Sequence, residues 1–170
     1  MRSSEFWIAY VLLLLAQLLI GNYLTLSPYL VLTVLPVMVL CIPIRVGSVG
    51  AMLIAFATGL VTDLLSEGVL GLNALALVPV AALRNPVIRL IFGEELLSRK
   101  EDFSANRSGM GKVATAIFLV QAVFLFIYIW ADGASTRPFW FNAARFSLSL
   151  LTGMAVSLLA VPAIAPDPRR

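Results

Sequence analysis

A chain of 170 residues, 61% of them apolar and 12% charged, stands well outside soluble domains, which run near 45–50% apolar and about 25% charged. A lipid bilayer is the solvent that this composition suits. The net charge is +3, with no implied nucleic-acid partner. Histidine is absent and Cys41 is the only cysteine. That excludes a Ser/His/Asp triad, an HExxH zinc site, an imidazole proton shuttle, an internal disulfide and a thiolate metal cluster. No P-loop or GxGxxG is present, so no catalytic residue, metal or cofactor is expected.

Each spanning helix needs roughly 20 apolar residues, and a charge at mid-membrane costs about 2.5–3.5 kcal/mol. Charged residues therefore divide the chain into candidate spans. Arg2 and the apolar run after Trp7 resemble a signal sequence, but no A-x-A cleavage pattern follows, so a retained first helix is predicted over 6–22. Leu40 stands where a lipidated Cys41 would need a small residue. No charge occurs from Phe6 to Ile44. Turn chemistry at Gly21-Asn22-Tyr23 and Ser27-Pro28 splits that stretch and gives a second helix over 28–44.

A third helix is predicted over 47–65, ending at Asp63 and Glu67. The fourth, over 73–92, starts at Asn73, whose amide can cap exposed N–H groups. Arg84 and Arg89 are expected to snorkel to the interface. A hydrophilic cytoplasmic loop is expected over 93–112, followed by a fifth helix over 113–131 and a sixth over 142–164. Pro36 and Pro79 lie within predicted helices and should kink them unless neighbours satisfy the freed carbonyls. The fold expected is a single all-α, six-transmembrane-helix bundle.

In that layout Arg137 and Arg145 fall on one side and the other ten Lys and Arg residues on the opposite side. The positive-inside rule then puts both termini in the cytoplasm. Asp63, Glu67 and Asp132 share the outer side, where Trp130, Phe139 and Trp140 would form an aromatic belt.

Gly47, Ala51, Ala55, Gly59 and Asp63 are spaced by four. Such small-residue rows let helix backbones approach closely in a membrane. Ser149, Gly153 and Ser157 form a shorter row. Both rows read either as packing inside the bundle or as a surface for a partner. Asp63 is the ionisable group most nearly inside a span and so a functional candidate. It reads as a structural turn, stabilised by the dipole of the helix starting near Asn73, as a partner or ligand contact, or as a site of proton or ion coupling. Gln121 reads as an interhelical hydrogen bond, and Glu67 as a solvated loop residue.

The run from Gly59 through Asp63-Leu64-Leu65-Ser66 to Gly71-Leu72-Asn73-Ala74 resembles the signature of the MreD family, the rod shape-determining membrane proteins of bacteria. There a G-x-x-x-D-L-hydrophobic-S helix end leads into G-x-N/H-A at the next helix start. Chain length, six helices, a basic loop after the fourth and the Asn22-Tyr23 turn extend the likeness over nearly the whole chain. Arg84-Asn85-Pro86 followed by Arg89 is similar to Bacteroidetes-type members.

The resemblance implies a non-enzymatic inner-membrane subunit of the cell-elongation machinery, acting on cell shape and peptidoglycan synthesis. It would bind an MreC-like membrane-anchored protein and, with it, MreB filaments, RodA and its transpeptidase. Gly59, Asp63, Gly71 and Asn73 would form the contact or the turn. The implied fold is like the substrate-binding subunits of energy-coupling-factor transporters. That kinship keeps a second reading open, a vitamin-binding or other small-molecule-binding transporter subunit with Gln121, Thr33, Thr58 and the sixth-helix serines lining a cavity. A small lipid-active enzyme is a third, without a motif to support it.

Overall fold

The computed structural model of the protein describes residues 3–23, 30–67, 69–93, 109–133 and 137–164. Within them lie five long helices: α1 (Ser3–Tyr23), α3 (Gly47–Thr62), α4 (Leu72–Phe92), α5 (Met110–Gly133) and α6 (Phe139–Ile164), with a short α2 (Leu35–Leu40) before α3. A 3-10 turn, Ile44–Val46, leads into α3, and a π-helical turn, Asp63–Glu67, extends it. All five long segments are long and apolar enough to cross a membrane. Of the predicted loop over 93–112, residues 94–108 lie outside the described residues.

The second predicted helix, 28–44, is corrected. Residues 30–34 are not helical, and the helix spans only Leu35–Leu40. Two prolines explain its shortness. Pro36 occupies the first turn of α2, where the missing N–H is not needed, so it starts the helix and does not kink it. Pro43 follows three residues after Leu40 and disfavours helical geometry at Ile42. In α4, by contrast, the helix continues through both Pro79 and Pro86.

Every residue from Thr33 to Ile42 is buried. This broken segment is the centre of the molecule, enclosed by Ala76, Leu77, Val80 and Ala81 of α4, Val113, Ile117, Val120 and Phe124 of α5, and Val161 of α6. Long apolar side chains such as Leu12, Leu53, Phe118 and Leu151 point outward and are exposed. Such an inversion, with irregular backbone inside and leucine outside, is what a bilayer selects. Non-helical backbone is tolerated at membrane depth only where protein encloses it.

Contacts fix the directions. Asn22 Nδ2 donates to Leu65 O at 3.1 Å, so α1 and α3 finish at the same end. Asn85 Nδ2 donates to Ser48 Oγ at 2.7 Å, so α4 returns antiparallel to α3. The segment 30–46 therefore runs from the Asp63 end to the start of α3 at the opposite end. Along it, Val31 meets Ser149 and Thr33 meets Gln121, whose amide lies against Gly153. Four residues of helix and two of extended chain both advance about 6 Å. That match sets α6 parallel to the segment and brings the α5–α6 junction to the Asp63 end. Arg45, Arg89 and Lys112 thereby collect at one end, and Asp63 and Asp132 at the other.

Candidate functional site

Between α3 and α4 the chain makes a clasp. Asp63 is fully buried. Its Oδ1 accepts from the backbone N–H of Asn73 at 2.9 Å and from Asn73 Nδ2 at 3.0 Å. Its Oδ2 accepts from the N–H of Gly71 at 2.9 Å and of Ala74 at 3.3 Å. A helix start leaves up to four N–H groups unpaired and carries partial positive charge. Here a carboxylate from the preceding helix answers both needs. Asn73 does not cap through its own acceptor; its amide instead donates to Asp63.

Two glycines make this geometry possible. Gly71 has φ +93°, left-handed backbone that a side chain would strain, and it turns the chain so that three N–H groups face one carboxylate. At Gly59, a Cβ would lie 2.5 Å from the backbone N and Cα of Ala74, below any contact real Cβ atoms make. Gly59, Asp63, Gly71 and Asn73 thus converge on one spot, and their joint product is a rigid turn. Around it the apolar side chains of Leu64, Leu65, Val69 and Leu70 are each more than half exposed.

The small-residue rows face inward. Ala51, Ala55 and Gly59 are buried on α3, while Gly47, at the helix start, is exposed and has nothing within 4 Å of a Cβ position. Ser149, Gly153 and Ser157 are buried on α6. A Cβ at Gly153 would overlap the Gln121 amide.

A second polar set serves the broken segment. Gln17 Nε2 donates to Leu32 O at 3.0 Å while its Oε1 accepts from Val34 N–H at 2.9 Å, so one amide imitates a neighbouring strand. Ser149 Oγ accepts from Val31 N–H at 2.8 Å. Gln121 Nε2 donates to Thr33 O at 3.3 Å, and Thr33 Oγ1 accepts from Leu35 N–H at 3.2 Å. Arg84 donates through Nε to Leu40 O at 3.1 Å and through Nη2 to Ile42 O. Its guanidinium thus meets the C-terminus of α2, where cations are favoured. Arg84 is 1% exposed, which corrects the expectation that it snorkels.

Gln17 and Arg84 are the residues that spacing alone misses. A lone amide amid the uncharged apolar run of the first helix was the available signal for Gln17. Tyr10 and Thr58 share a further buried hydrogen bond of 2.9 Å that ties α1 to α3.

At the α5–α6 junction, Asp132 Oδ2 accepts from Arg137 Nη1 at 3.3 Å and from Arg145 Nη1. Among the described residues no three His, Cys, Asp or Glu gather as metal ligands would. Comparison of the chain with protein-family models, with curated proteins and with solved structures finds no match.

Proposed function

We propose that the protein is a non-enzymatic, MreD-like subunit of a bacterial cell-elongation complex, set in the inner membrane and binding an MreC-like partner at the Asp63 end. The observation that carries the reading is the clasp: Gly59, Asp63, Gly71 and Asn73 of the MreD-like motif contribute to one turn. That turn holds Leu64, Leu65, Val69 and Leu70 outward in a fixed geometry. Preorganised apolar side chains lose little entropy on docking. Gly59, Asp63, Gly71 and Asn73 build the platform, and the exposed Leu64, Leu65, Val69 and Leu70 meet the partner. MreB, RodA and its transpeptidase would join through that partner.

The proposed topology has six crossings, five regular and one broken at 30–46, as in a bundle like the energy-coupling-factor subunits. The positive-inside rule, with Arg45, Arg89 and Lys112 at one end, supports the reading that this end and both termini are cytoplasmic. The clasp then faces the periplasm. Against the transporter reading, Gln121 Nε2 donates to the carbonyl of Thr33 and Thr58 bonds Tyr10 within the core; in its favour, Gln121 Oε1 and Ser157 Oγ are buried without a partner.

The test is co-purification of an MreC-like protein from native membranes with Leu70→Glu and Leu64→Glu variants. At unchanged expression and monodispersity, loss of the partner and of rod shape is the expected result. Retention of both by the double variant overturns the proposed surface.

A further inference from the structure

We propose that the groove between α5 and α6 at the Asp132 end is a binding site for an anionic phospholipid, with an acyl chain in the groove and the phosphate on Arg145 and Arg137. The inference rests on the chain lying in a bilayer and is independent of the MreC reading. The groove has a volume of about 230 Å³ and is lined by aromatic and small residues, among them Phe126, Trp130, Phe139, Asn142, Ala143 and Phe146. Phe126, Trp130 and Phe139 are 59%, 55% and 66% exposed, so its mouth opens outward from the bundle. Sites that enclose whole small molecules are larger, about 300–1,000 Å³. This one suits a length of hydrocarbon chain whose remainder continues into the bilayer.

The lining itself carries no charge; the charged residues closest to it in the chain are Asp132, Arg137 and Arg145, and they are unequal in sign. Two guanidiniums converge on one carboxylate oxygen of Asp132, which leaves one positive charge in excess. Arg145 stands between the groove-lining Ala143 and Phe146 on α6, with its side chain 11% exposed. Its Nε is buried and has no hydrogen-bond partner, and neither has Asn142 Oδ1 nearby. A buried donor on a charged group is costly to leave unpaired, and a phosphate oxygen is the acceptor that guanidinium geometry fits best. Arg137 is the outer member, 39% exposed, resting over the Phe141 ring at 5.4 Å. An intramembrane arginine one residue from an aromatic groove's lining has the chemistry of a lipid headgroup site.

Native mass spectrometry of the delipidated full chain in detergent tests this, with equimolar phosphatidylglycerol and phosphatidylcholine of identical acyl chains. Phosphatidylglycerol should be retained about fivefold over phosphatidylcholine, the ratio that roughly 1 kcal/mol of charge-assisted bonding gives. Arg145→Gln should bring the ratio near parity, and Arg137→Gln should lower it while leaving the fold intact. Ala143→Leu, which fills the groove without touching a charge, should reduce retention of both lipids. Parity in the unmodified protein overturns the proposal, and so does an unchanged ratio in Arg137→Gln and Arg145→Gln together. Undiminished retention in Ala143→Leu overturns the placement of the chain in the groove. Should Arg145→Gln fail to fold, Arg137→Gln and Ala143→Leu decide.

Discussion

The clasp at 59–74 and the broken segment at 30–46 solve the same problem, unpaired backbone groups in a lipid-facing protein, with opposite chemistry. At the clasp a single carboxylate collects three backbone N–H groups and an amide at the rim of the bundle. In the broken segment the work is divided among neutral side chains from α1, α5 and α6 and one arginine from α4. The difference follows depth and dipole. A helix start offers several donors pointing one way, which one anion can serve. An extended strand offers donors and acceptors alternately in both directions, and only groups carrying both functions, such as the Gln17 amide, can serve it without burying charge.

Breaking the comparison at its strongest point means removing that amide. Gln17→Leu leaves Val34 N–H and Leu32 C=O unpaired, at about 1–3 kcal/mol each. It should cost about 2–6 kcal/mol and show as the largest fall in thermal midpoint in detergent. If the midpoint holds, the segment has other partners and the strand-like role of Gln17 is wrong.

Asp63→Asn keeps one acceptor oxygen but turns an NH₂ group toward backbone donors, so roughly half of the clasp is lost. A loss of about 1.5–3 kcal/mol, the range for hydrogen bonds to charged groups, is expected by the same measurement. Asp63→Ala should cost more, and an equal cost for the two would mean that the neutral acceptor left in Asp63→Asn contributes nothing without the charge.

Gly59→Ala places a methyl into the backbone of Ala74. Overpacking of this kind typically costs about 1–3 kcal/mol, read as lowered stability, with the Ala74 N–H bond to Asp63 the first of the set to lengthen. Gly47→Ala tests the other end of the same spacing row. With nothing to meet at its Cβ position, it should show only the strain of the positive φ at Gly47, and no loss of helix packing.

The smallest effect belongs to Asp132. Of its two partners Arg137 is exposed and Arg145 is largely buried. The exposed pair contributes about 0.2–1 kcal/mol, and an asparagine keeps an acceptor oxygen for Arg145, so Asp132→Asn should shift the thermal midpoint only slightly. The shift should shrink further with added salt. A large, salt-independent loss would place the pair in a drier setting than its exposure indicates.

The five long helices and the clasp were legible because both depend on local pattern: charge-free windows of spanning length, and a Gly-x₃-Asp to Gly-x-Asn spacing that brings one carboxylate to one helix start. The interior was legible only in part. Pro36 and Pro43 bracket α2, yet in an uninterrupted apolar run they read equally as kinks within a span. Arg84 sits two turns from the end of its helix, where a long side chain can reach either the interface or the core. Its direction depends on two carbonyls more than 40 residues earlier in the chain, and no local pattern encodes that. Gly47 shows the converse limit, since the fourfold spacing reaches the first residue of the helix, where there is no neighbour to pack on.

The partners of the broken segment also set an order on how the protein is made. Arg84, Gln121 and Ser149 lie 44, 88 and 118 residues after the backbone groups that they serve. At about 5–20 residues per second, the last of them leaves the ribosome roughly 6–24 s after Val31. During that interval the segment has Gln17 and gains Arg84 and then Gln121, but its enclosure is incomplete until Ser149 arrives, so it cannot settle in hydrocarbon as a finished element. Residues 30–46 must wait in a sheltered or aqueous setting, and the insertion of this small protein ends near its beginning, when α6 arrives to close over a stretch synthesised long before.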